Sequence, residues 1–92
     1  MPTKYFPKDD IIALAGQIVP EGYELLELKL SWDDGKGTSV VFRVGGRFYQ
    51  FSGWNGGGRP KGLLANWEGD VPAYEVYWDE GNFKWKELRD EN

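Results

Sequence analysis

The sequence predicts an α+β domain in which one N-terminal helix packs on a twisted antiparallel sheet of about five strands, in the order α-β-β-β-long loop-β-β. Three observations carry this. Residues 8–19 place apolar side chains at helical spacing. Residues 23–54 hold three runs of alternating apolar and polar character divided by glycine turns, and residues 74–88 hold two more. Ninety-two residues form a single domain spanning 1–92, with frayed ends expected at about 1–6 and 89–92.

The helix is predicted over 8–19. Pro7 suits its first turn, and Asp9 and Asp10 oppose the positive end of the helix dipole. Ile11, Ile12, Ala15, Ile18 and Val19 make one apolar stripe, and Pro20 and Gly22 stop it. Gly16 falls in the helix interior in this reading, at a cost of about 1 kcal/mol against alanine.

Residues 23–32 follow as a strand, with Leu26, Leu28, Leu30 and Trp32 alternating against Glu27, Lys29 and Ser31. Residues 33–37 form a turn by composition. Residues 38–44 and 47–54 are two strands joined by Gly45-Gly46, a two-residue hairpin turn. That turn sets the register. With Val44 opposite Arg47, Phe42 faces Tyr49 and Val40 faces Phe51 on the core side, while Val41, Arg43, Phe48 and Gln50 lie on the other face. A helix on that other face would shift the candidate surface to Tyr49 and Phe51.

Residues 55–70 have no strong period and form a long loop, a length that in a small domain is often functional. Residues 74–79 alternate again. Glu80-Gly81-Asn82 turns the chain into a last strand over 83–88, with Phe83 and Trp85 opposite Trp78 and Val76.

The charges are segregated along the chain. No acidic residue lies between Asp34 and Glu68, where Lys36, Arg43, Arg47, Arg59 and Lys61 fall, although the formal net charge is −4. The same stretch holds Phe42, Phe48, Tyr49, Phe51, Trp54 and Trp67, so a basic, aromatic, glycine-rich surface that meets an anionic or acidic partner is expected. The chain has no cysteine, hence no disulfide, thiolate–zinc site or cysteine nucleophile. It has no histidine either, so the usual general base and the commonest metal ligand are missing. Ser31, Ser39 and Ser52 lack a base to activate them, and the adjacent carboxylates Asp33-Asp34 and Asp79-Glu80 sit in turns, where such pairs are ordinarily solvated. An enzyme is therefore not expected, and neither is a cofactor or a metal. No run approaches the roughly 20 apolar residues of a membrane span, and no secretory leader pattern opens the chain, which leads to an expected cytoplasmic protein.

Three features are candidates for binding. The glycines around Gly57 and Gly58 turn backbone N–H groups toward an anion, with Arg59 and Lys61 adding full charges, although the string is neither a Walker loop nor a dinucleotide fingerprint. Arg43 and Phe48 are cross-strand neighbours on one sheet face, a pairing suited to stacking on a base or anchoring a protein. Trp54 and Trp67 bracket the loop, either exposed to a ligand or stapling the loop to the sheet.

Together these predict a small binding protein, an inhibitor or accessory factor of the immunity or phage anti-defence kind, that occludes a partner protein with an acidic or apolar site. The alternative is a module that binds a nucleotide or short single-stranded nucleic acid through the Arg59/Lys61 loop. Five cations suit that better than duplex binding, which commonly engages six or more phosphates. Homodimerisation through an unblunted edge strand is a further expectation.

Overall fold

The computed structural model describes residues 3–30, 38–53 and 67–87. One helix packs on one face of an antiparallel sheet. The elements are β1 (Thr3–Phe6), α1 (Lys8–Ala15), β2 (Tyr23–Leu30), β3 (Thr38–Val44), β4 (Arg47–Gly53), β5 (Val71–Asp79) and β6 (Lys84–Glu87). The strand order is β1-β5-β4-β3-β2, and β6 also pairs with β5.

The central hairpin has the register its sequence predicts. Gly45 and Gly46 both take positive φ, 62° and 78°, the geometry of a two-residue turn whose twist matches the strands it joins. Val44 then pairs with Arg47, Phe42 with Tyr49 and Val40 with Phe51. The helix covers this Val40, Phe42, Tyr49 and Phe51 face, adding Ile11, Leu14 and Ala15 to one buried cluster. The sheet face bearing Arg43 and Phe48 is thus the one turned away from the helix.

Four elements depart from the sequence reading. Residues 3–6, expected to fray, form β1, which pairs with the first half of β5. The cause is Phe6, which is buried and packs edge-on against Phe42 (centroids 5.0 Å, 83°) and Tyr49 (5.0 Å, 68°). The helix ends at Ala15 rather than Val19. Gly16 is its cap, not an interior residue, and Gln17 takes the left-handed conformation at φ 65°. The Gln17 N–H bonds the Leu14 carbonyl and the Ile18 N–H the Ala13 carbonyl, the paired closure of a Schellman motif. Ile18 is consequently 70% exposed instead of lying on the core stripe.

Strand β2 contains a bulge: Leu25 pairs with Phe42 and Glu27 with Val41, leaving Leu26 between them. The extra residue resets the alternation, so Tyr23, Leu25 and Leu28 pack on the core while Leu26 does not. Last, the β5–β6 pairing is shifted by two residues from expectation. Trp78 pairs with Trp85 and Val76 with Glu87, and Phe83 stays in the turn.

Asp10 meets the start of α1 as the dipole argument requires, and it also accepts a hydrogen bond from the Tyr23 hydroxyl at 2.8 Å, tying the helix to β2. Burial, then that bond and the Asp10 charge, push the Tyr23 phenol up to about 12. No helix among the described residues is long and apolar enough to cross a membrane.

Candidate functional site

Strand alternation assigns Arg43 and Phe48 to the helix-free face, and they are cross-strand partners. Neither is free for a ligand in the way their residue types alone suggest. Arg43 is ion-paired with Glu24, its cross-strand neighbour on β2. Phe48 is half-buried, its ring 5.4 Å from that of Trp85. Val41 and Val76 are buried on this same face, so the sheet carries a thin second apolar layer there.

The chain's charge segregation is partly undone by folding. Arg47, another cation of the basic middle, contacts both Glu75 carboxylate oxygens at 3.3 Å. The two described arginines of the basic stretch are thus each neutralised by an acid from a flank. Trp67 sits beside the start of α1, away from the Arg43–Phe48 pair. Its indole N–H donates to the Asp70 carbonyl at 3.0 Å, and its own carbonyl accepts from Lys8 Nζ at 2.9 Å. Trp54, Gly57, Gly58, Arg59 and Lys61 lie outside the described residues.

What the structure brings together instead is a groove of about 700 Å³ across the helix-free face. One wall is Leu26, Glu27 and Lys29 of β2; the other is Trp78, Phe83, Lys84 and Trp85 of the β5–β6 hairpin; Gln50 lies between. Trp78 and Trp85 meet edge-on at 5.3 Å and 66°. Trp78 remains 44% exposed and Phe83 79%. The volume falls within the roughly 300–1,000 Å³ of sites that hold small ligands.

The hairpin tip that presents Phe83 is braced. The Asp79 carboxylate accepts from Asn82 Nδ2 at 2.8 Å and from the Gly81 N–H at 3.1 Å, and pairs with Lys86 Nζ at 3.0 Å. Those bonds, Asn82 first and Lys86 next, hold the Asp79 carboxyl down at about 2, and the same contact raises the Lys86 ammonium. Phe83 itself sits at φ 52°, a conformation bulky L-residues rarely adopt. Lys84 has no carboxylate partner among the described residues, because its cross-strand neighbour Asp79 is taken by Lys86.

Chemically the groove stacks and pairs; among the described residues no three acidic side chains gather as they would around a metal ion. Sequence reasoning missed it. The alternation puts Phe83 in the last strand, and Leu26 with Leu28, Leu30 and Trp32 on the apolar side of a half-buried one. The only sequence clue was the density of aromatics in 74–85 beside an Asp-x-Gly-Asn turn. The chain matches no protein-family model, no curated protein and no solved structure.

Proposed function

We propose that this protein is a non-enzymatic binding protein that occludes a partner protein with the sheet face turned away from its helix, as small inhibitors of the immunity or anti-defence kind do. One observation carries the reading: that face presents large aromatic side chains, Tyr5, Tyr74, Trp78 and Phe83, which remain exposed on a sheet whose other face holds the core. Exposed tyrosine, tryptophan and phenylalanine on a rigid platform are the residue types enriched at interface hot spots. The helix packs behind the sheet and β1 extends it by pairing with β5, so little ordering cost is incurred on contact.

The test compares tagged wild-type protein with Trp78→Ala and with Glu21→Ala, a change at an exposed residue outside the face. All three are used to recover partners from the native cell or host lysate. The reading expects one protein at stoichiometric yield with wild type and Glu21→Ala, lost with Trp78→Ala, and functionally silenced in the complex. Undiminished recovery with Trp78→Ala would reject the face. A nucleotide released in place of a protein, and lost at high salt, would put the anion reading of residues 56–62 first.

A further inference from the structure

Resting on that reading, we infer that the groove between β2 and the β5–β6 hairpin is the selective part of the surface, and that it receives an apolar side chain of the partner flanked by a carboxylate. Two backbone irregularities converge on it. The bulge in β2 takes Leu26 out of the core alternation and places it in one wall. The left-handed turn residue Phe83 stands in the other. Bulges re-aim side chains next to functional sites, and bulky residues persist at positive φ only where the surroundings enforce it. Here the enforcement is the Asp79 bonding to Gly81, Asn82 and Lys86. Two independent departures from regular strand geometry each supply an apolar side chain to the same cleft.

The polar groups define the rest of the occupant. Lys29 is paired with Glu27 at 3.3 Å, so these two cancel. Among the described residues Lys84 is left as the rim charge without a carboxylate partner, on a chain whose net charge is −4. A carboxylate on the occupant answers it, and a basic occupant is repelled. Gln50 donates its amide N–H to Ser39 Oγ at 2.8 Å, which orients its carbonyl oxygen as an acceptor for a main-chain N–H. Leu26, Trp78, Phe83 and Trp85 supply the apolar surround, and a space of this size has room for a large apolar side chain together with its adjoining backbone and the flanking residues.

Blocked tripeptides test the inference directly: Ac-Glu-Phe-Glu-NH2, Ac-Lys-Phe-Lys-NH2 and Ac-Glu-Ala-Glu-NH2, titrated into the full chain while the tryptophan indole N–H resonances are followed. The acidic phenylalanine peptide is expected to shift Trp78 and Trp85 saturably. The basic and the alanine peptides should bind at least about fivefold more weakly, and Lys84→Gln should weaken the acidic peptide about two- to fivefold, as for an exposed ion pair. Phe83→Gly, which keeps the turn, should remove the Trp78 and Trp85 shifts. Equal binding of acidic and basic peptides, or shifts confined to other tryptophans, overturns the inference. So does adenosine monophosphate competing for the same two indoles in a salt-sensitive way. Failure here with partner recovery still dependent on Trp78 removes the groove's selectivity and leaves the face standing. Peptide binding without that dependence removes the face as the partner surface.

Discussion

Replacing Phe83 by glycine and by alanine separates what its backbone costs from what its ring does. The residue sits at φ 52° and is 79% exposed. Only about a fifth of a ring worth ~200 Å² is hidden, so deleting it costs at most about 1 kcal/mol at ~25 cal/mol per Å². Both variants incur that loss, so it cancels between them. They differ in how the new residue tolerates the left-handed region. An L-residue there costs roughly 1–2 kcal/mol, which alanine retains and glycine escapes. Glycine loses about 0.5–1 kcal/mol to its freer unfolded chain. The balance leaves Phe83→Gly more stable than Phe83→Ala by about 0.5–1 kcal/mol, reversing the usual order of these residues. For a domain of this size that is a Tm difference of about 2–8 °C, well resolved by thermal or urea unfolding. An alanine variant as stable as the glycine variant, or more so, would refute the strained turn and with it one of the two irregularities on which the groove argument stands.

Two other outcomes test the fold. Gln17→Gly should stabilise by about 0.5–1 kcal/mol, because Gln17 closes the helix at φ 65° and is exposed, so little contact is lost; a Tm unchanged or lowered would contradict the closure described for α1. Tyr23→Phe removes the bond to Asp10 and should cost about 1.5 kcal/mol in urea unfolding, the low end for a bond to a charged group because the site is half-buried. The folded-state phenol titrates at about 12 against 10.0 unfolded, so stability is intact below pH 10 and falls as pH rises from 10 to 12. The phenylalanine variant should lack that part of the alkaline decline, and identical slopes in the two proteins would count against the Asp10 contact.

What the sequence revealed follows from how local each determinant is. The β3–β4 hairpin was readable to the residue because Gly45-Gly46 and a period of two on each side act within a dozen positions. The helix start was readable from Pro7, Asp9 and Asp10, but its end was not. Pro20 and Gly22 are louder stops than a glutamine entering the left-handed region at position 17. The four residues of β1 are too few to show a period, and they are a strand because Phe6 finds Phe42 and Tyr49 from across the chain. In β2 the Leu26, Leu28, Leu30 alternation is real as a string and misleading as a face, since the bulge shifts the parity to Tyr23, Leu25 and Leu28. The cross-strand pairing of Arg43 with Phe48 was legible. The neutralisation of Arg43 by Glu24 and of Arg47 by Glu75 was not, because linear charge blocks do not say which strands will lie side by side.

The places where local rules failed are not all of one kind, and the difference is informative. Natural sequences agree with themselves across levels except at sites under some other demand, so a violation is a pointer only when it has company. Gln17 is as far into the left-handed region as Phe83, yet its closure is fully explained by two backbone hydrogen bonds at a helix end and lines neither groove wall. Leu26 lies in the β2 bulge and Phe83 in the β5–β6 turn, more than fifty residues apart in sequence, and no hydrogen bond among the described residues links the two. What they share is the cleft between Lys29 and Lys84, with Trp78 and Trp85 in its far wall. Strain alone would have picked Gln17; strain that converges with a bulge on exposed rings, beside a cation with no carboxylate partner among the described residues, picks the groove.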